Sequence, residues 1–218
     1  MSSAKERMLN EVRQALKDVP ENEDPQQLII ERNYQLESLL TEDECIELFA
    51  ERVSEYKAKV TAIEEDELIK AISEACLKGS IKKLIVPQEI PNDWLPENLE
   101  ILRDRDIHHT QNELDASDGV LTGCNLAIAQ TGTIVLNGGP RQGRRILTLL
   151  PDYHLCVVFA KQIVGNVPEA YAALDSGIKE SANPITFISG PSATSDIELD
   201  RVEGVHGPRR LEVLIVRG

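Results

Sequence analysis

The chain of 218 residues has no apolar run approaching the ~18 residues a membrane-crossing helix needs, and its first residues lack the continuous apolar core of a signal peptide. A cytoplasmic location is the expectation from those two absences. Only four cysteines occur, at 45, 76, 124 and 156, with no CxxC or other metal-type spacing among them. Buried free thiols are therefore expected, and an iron–sulfur cluster in this chain is not. No HxxxH or HExxH pattern points to a metal site either.

Basic residues are outnumbered, 23 Lys and Arg against 37 Asp and Glu, which gives a net charge of −14. Residues 1–120 hold 14 basic and 28 acidic side chains, and residues 121–218 hold nine of each. Such a first half repels nucleic acid and anionic membranes, whose recognition needs a basic stripe. The neutral second half carries Arg141, Arg144 and Arg145 in one glycine-containing loop, then Arg209 and Arg210. An anion site, if the chain has one, is expected there.

What is present alternates between helical and β-like periods. Residues 4–18 place Met8, Val12, Ala15 and Leu16 at helical spacing, and Pro20 opens an acidic connector. Thr41 and Glu44 form a capping box for a helix over about 42–54. Residues 59–62, 83–87 and 99–102 read as strands and 65–77 as a helix closed by Gly79. Further apolar runs follow at 126–129, 133–136, 155–159, 185–188 and 211–216. The alternation predicts a three-layer α/β fold with a mostly parallel sheet. Only Gln130, Thr131 and Gly132 separate the runs at 126–129 and 133–136, so those two are antiparallel neighbours and the sheet is mixed. The division expected is an N-terminal helical extension over residues 1–40 and one α/β domain over 41–218.

Three glycine-bearing segments lie in the second half: Asp118-Gly-Val-Leu-Thr-Gly-Cys-Asn125 with Gln130-Thr-Gly-Thr133, Asn137-Gly-Gly-Pro-Arg-Gln-Gly-Arg-Arg145, and Ser189-Gly-Pro-Ser-Ala-Thr-Ser-Asp196. Glycine lets main-chain amides approach a ligand, and loops at the carboxyl ends of parallel strands line the usual α/β crevice. The residues expected to hold an anion are Thr131, Gly132, Gly139, Arg141, Arg144, Gly190, Ser192, Thr194 and Arg209. A capping turn and a solvated arginine loop account for the same residues without a ligand. His206, close in sequence to Asp196 and Glu198, is either a general acid or base with those carboxylates, a metal ligand, or a structural histidine. His154 reads as a capping or core residue, and His108 and His109 as surface residues.

Five ordered motifs also carry a family pattern: Asp118-Gly-Val-Leu-Thr-Gly123, Ile128-Ala-Gln-Thr-Gly-Thr133, Leu149-Leu-Pro-Asp-Tyr-His154, Ile188-Ser-Gly-Pro-Ser-Ala-Thr-Ser-Asp-Ile-Glu198 and Gly204-Val-His-Gly-Pro-Arg209. Over roughly 118–210 the chain resembles the lactate-utilization protein C family, the LUD domain. That family reads Thr-Gly-Ala-Asp and Ala-Glu-Thr-Gly-Thr where this chain has Thr122-Gly-Cys-Asn125 and Ala129-Gln-Thr-Gly-Thr133. The resemblance implies a fold similar to the sugar-phosphate isomerase and CoA-transferase class. It also implies a part in oxidising L-lactate to pyruvate, as an accessory component beside iron–sulfur partner subunits. Gln130 and Asn125 stand where the family has Glu and Asp, and an amide can bind but cannot act as base or nucleophile. An isomerase or acyl-CoA-transferase activity is the alternative, and a homo-oligomer is left open.

Overall fold

The computed structural model describes residues 3–19, 33–104, 110–178, 183–194, 202–203 and 207–218. The chain divides into two compact units, Met1–Tyr34 and Gln35–Gly218. In the first, helix α1 (Ala4–Ala15) starts at a capping box in which the Ser3 hydroxyl accepts from Glu6 N and the Glu6 carboxylate accepts from Ser3 N.

The second unit is built on six parallel strands in the order β1 (Lys59–Glu64), β12 (Arg210–Arg217), β7 (Tyr153–Phe159), β4 (Gly119–Thr122), β2 (Lys83–Pro87) and β3 (Glu100–Asp104). The two-residue pleat of β7 sends Tyr153, Leu155 and Val157 into one core cluster and Cys156 and Val158 into another. Helix α3 (Leu68–Lys78) covers the first face through Leu68, Ile72 and Cys76. Helix α2 (Glu42–Glu55) buries Cys45, Ile46, Phe49 and Val53 on the other. The spacing of those four positions, 45, 46, 49 and 53, is that of one helix face.

The pair β5 (Leu126–Ile128) and β6 (Thr133–Leu136) is antiparallel, in agreement with its three-residue link. It does not join the six strands. It is the centre of a second sheet, flanked by β8 (Ile163–Val164) and β9 (Thr186–Ile188), so the mixed character resides in that sheet alone. Ala127, Ile134 and Leu136 face the main sheet, and Leu126, Ile128 and Val135 face helix α5 (Val167–Ile178). Short helix α4 (Gln111–Asp115) seals the β2–β4 region through Leu114. A two-stranded ribbon, β10 (Ala193–Thr194) with β11 (Val202–Glu203), completes the described strands. Among the described residues, no helix is long and apolar enough to cross a membrane.

Candidate functional site

The three glycine-bearing segments come together around the second sheet. Gly132 has φ +57°, and a Cβ there would lie 2.7 Å from the Arg52 carbonyl carbon, so the β5–β6 turn rests directly on the α2 backbone. Gly190, at φ +91°, packs against Tyr56 just beyond the same helix. The two turns are tied by hydroxyls: Thr131 Oγ1 lies 2.7 Å from Thr133 Oγ1, which lies 2.7 Å from Ser189 Oγ. Gln130 is exposed, and its main-chain N–H donates to the Gly165 carbonyl.

The Asn137–Arg145 loop is folded by its own side chains. Asn137 N donates to Gln142 Oε1 at 2.7 Å, Gly139 N donates to Asn137 Oδ1 at 3.1 Å, and Gly138, Arg141 and Gly143 all hold positive φ. Its three arginines then meet different fates. Arg141 lies 5.6 Å from the ring centroids of both Trp94 and Phe159, beside Gly123. Arg144 donates from Nε and Nη2 to the buried Asp104 carboxylate at 2.8 and 2.6 Å, and that bond raises its pKa. Arg145 donates from Nη1 to the Thr148 carbonyl and hydroxyl, at 3.2 and 2.7 Å, and has no carboxylate partner among the described residues. Burial lowers its pKa, the response of a cation losing water without gaining a counter-charge.

Two cavities meet at Arg145. One, of about 340 Å³, opens at the carboxyl ends of β2 and β3 and is lined by Gln88, Asp104, Gly139, Arg144 and Asn183. The other, of about 260 Å³, lies at the amino ends of β7 and β12 and is lined by Thr148, His154, Ser189, Gly190, Ser192 and Gly207. The third glycine segment therefore reaches the opposite strand ends from the usual α/β crevice, because the 137–152 loop carries the chain back to the start of β7. His154 is 1% exposed, and its Nε2 lies 2.8 Å from Thr122 Oγ1. Ser192 N donates to the Pro208 carbonyl at 2.8 Å.

Among the residues singled out from sequence, Gly139 and Arg144 line the first cavity, Gly190 and Ser192 the second, and Thr131 reaches Ser189 through Thr133. Gly132 is buried against α2, and Arg209 donates to exposed Asp152 at 2.6 Å. The Thr194 backbone belongs to β10, and its side chain lies outside the described residues, as do His206, Asp196, Glu198, His108, His109 and the connector at 20–32. The residues that the sequence marks for holding an anion leave out Arg145 and Ser189, named only as parts of their segments, and Thr148, and His154 reads there as a core or capping residue. His154 closes a family motif, which was the available signal; nothing local separates Arg145 from its neighbour Arg144. Among the described residues no group of three or more His, Cys, Asp or Glu could hold a metal ion.

Comparison with known proteins gives the lineage. Lactate utilization protein C of Deinococcus radiodurans is 46% identical over 184 residues, 84% of each chain. A protein of the same name from Geobacillus sp. is 29% identical over 131 residues, 57% of this chain and 54% of that one. A crystal structure of a DUF162 family protein from Deinococcus radiodurans superposes with a TM-score of 0.71 at 41% identity, covering 81% of this chain and 99% of its own. The LUD domain model matches residues 46–216, and the chain belongs to that family.

Proposed function

We propose that this chain serves lactate utilization as a non-redox accessory subunit, holding a small carboxylate such as lactate or pyruvate at Arg145. The relatives named lactate utilization protein C supply the process. The observation that carries the site is the distribution of counter-charges among the described residues: Asp104 neutralises Arg144, Asp152 neutralises Arg209, and Arg145, at the cavity by the amino ends of β7 and β12, has only neutral oxygens of Thr148 bound. A planar guanidinium presents paired donors that fit a carboxylate, and the hydroxyls of Ser189 and Thr148 sit around the same cavity. Four buried, mutually distant-in-sequence cysteines support placing the iron–sulfur chemistry in partner subunits.

Thermal shift and calorimetry with L-lactate, pyruvate and inorganic phosphate test this reading. At roughly 100 times Kd a bound anion adds about 2.7 kcal/mol, or about 5–10 °C for a chain of this size. Arg145→Ala is expected to abolish the shift and Arg145→Lys to weaken it; equal shifts in wild type and Arg145→Ala sink the reading. A pull-down of tagged protein from lactate-grown cells, with iron measured in the eluate, tests the partners. The presence of His154 in the cavity wall favours one competing reading, acid–base chemistry of the isomerase kind. Turnover of a phosphorylated substrate that His154→Ala removes is its signature.

A further inference from the structure

Cys124 and Cys156 both lie in the core between the two sheets, 5% and 0% exposed. Their approach follows from the strand register: β4 and β7 pair Thr122 with Cys156, and the chain leaving β4 turns Cys124 over that side chain. The Cys156 sulfur lies 3.7 Å from the Gly123 carbonyl oxygen, one residue before Cys124. Polar groups surround them. His154 Nε2 lies 2.8 Å from the hydroxyl of Thr122, the register partner of Cys156, and Gln162 Oε1 accepts from Cys124 Sγ at 3.6 Å. Cys45 belongs to the same core cluster but is carried by helix α2, and Cys76, on α3, lies in the cluster on the other face of the sheet.

We infer that Cys124 and Cys156 form a modification site, a buried dithiol that a hydroperoxide such as hydrogen peroxide closes to an intramolecular disulfide. Cys156 is the attacking sulfur. The neighbouring Cys124 thiol, then His154 and Thr122, favours its thiolate against the opposing effect of burial, whereas the same pairing and burial raise Cys124. Attack on peroxide breaks the O–O bond, forms Cys156 sulfenic acid and releases hydroxide. The Cys124 sulfur then displaces the sulfenic oxygen, its proton leaving with that oxygen as water, and the S–S bond forms. Two thiols and one peroxide give one disulfide and two waters, the sulfurs losing the two electrons that peroxide gains. Closure draws the Cys156 sulfur toward Cys124 and off His154, a residue in the wall of the Arg145 cavity.

The experiment treats the full chain with hydrogen peroxide, counts thiols in denaturant and maps non-reduced peptides by mass. Thiols are expected to fall from four to two, with Cys124 joined to Cys156 within one chain and both recovered by dithiothreitol. C124A is expected to leave Cys156 as a sulfenic acid that dimedone traps. C124S serves as the second variant with the same expectation. Four thiols surviving the treatment, a bridge to Cys45 or Cys76, or a bridge between chains overturns the inference.

Discussion

Gly132 and Gly138 both hold left-handed backbone, at φ +57° and +71°, but they differ in what an added methyl would meet. At Gly138 the nearest heavy atom is the Asn183 side chain at 3.4 Å, an ordinary contact. Gly138→Ala therefore costs only the left-handed backbone, about 1–2 kcal/mol. At Gly132 the methyl collides with the α2 main chain, which cannot move without unseating Phe49 and Val53. Gly132→Ala is expected to cost at least about 3 kcal/mol, since backbone strain and overpacking add. Urea unfolding of the two variants checks the contrast, and equal losses would show that the turn can lift off the helix. The sequence marks Gly132 as a site residue and Gly138 only as part of a glycine-bearing segment; the neighbour that separates them is 80 residues away for Gly132 and lies across a loop for Gly138.

Helix α2 positions that turn, and its start depends on Thr41. The Thr41 hydroxyl accepts from Glu44 N, and the Glu44 carboxylate accepts from Thr41 N at 2.8 Å and from the hydroxyl at 3.0 Å. These bonds lower the Glu44 pKa, the main-chain one most. A carboxylate with a depressed folded pKa stabilises above its unfolded value and loses that contribution as pH falls through the folded one. Glu44→Gln is thus expected to destabilise at pH 7 and to match wild type once pH has fallen below the folded pKa, where the carboxyl is protonated in both states. Thr41→Ala is expected to cost about 1 kcal/mol in thermal or urea unfolding at pH 7. The capping box was legible in sequence because it is local, four residues long. The β5–β6 pairing was legible for the same reason. That the pair leaves the main sheet was not, since β8 contributes only Ile163 and Val164 and β9 arrives from residues 186–188. Helix α5, whose first turn is held by Asn166 Oδ1 accepting from Glu169 N, was likewise not specified.

All four core clusters fall within residues 45–216, so the unit Gln35–Gly218 holds a complete apolar interior. Expressed alone, it is expected to unfold in one cooperative transition by circular dichroism, and a broad non-cooperative melt would count against an independent unit. The purified full chain is expected to be colourless, with iron well below stoichiometric by metal analysis. By itself the sequence determined the lineage, the glycine segments, the capped helices and the excess of acid in the first half, because motifs, spacing and charge counts are local or additive. Tertiary structure decided which of the cavity-lining arginines has no carboxylate partner among the described residues. Asp104 lies 40 residues from Arg144 and Asp152 lies 57 from Arg209, and only the strand order brings each pair within hydrogen-bond distance. The same holds for the cysteines, which the sequence scatters and the β4–β7 register joins, since parallel neighbours in a sheet are chosen by the fold and not by separation along the chain.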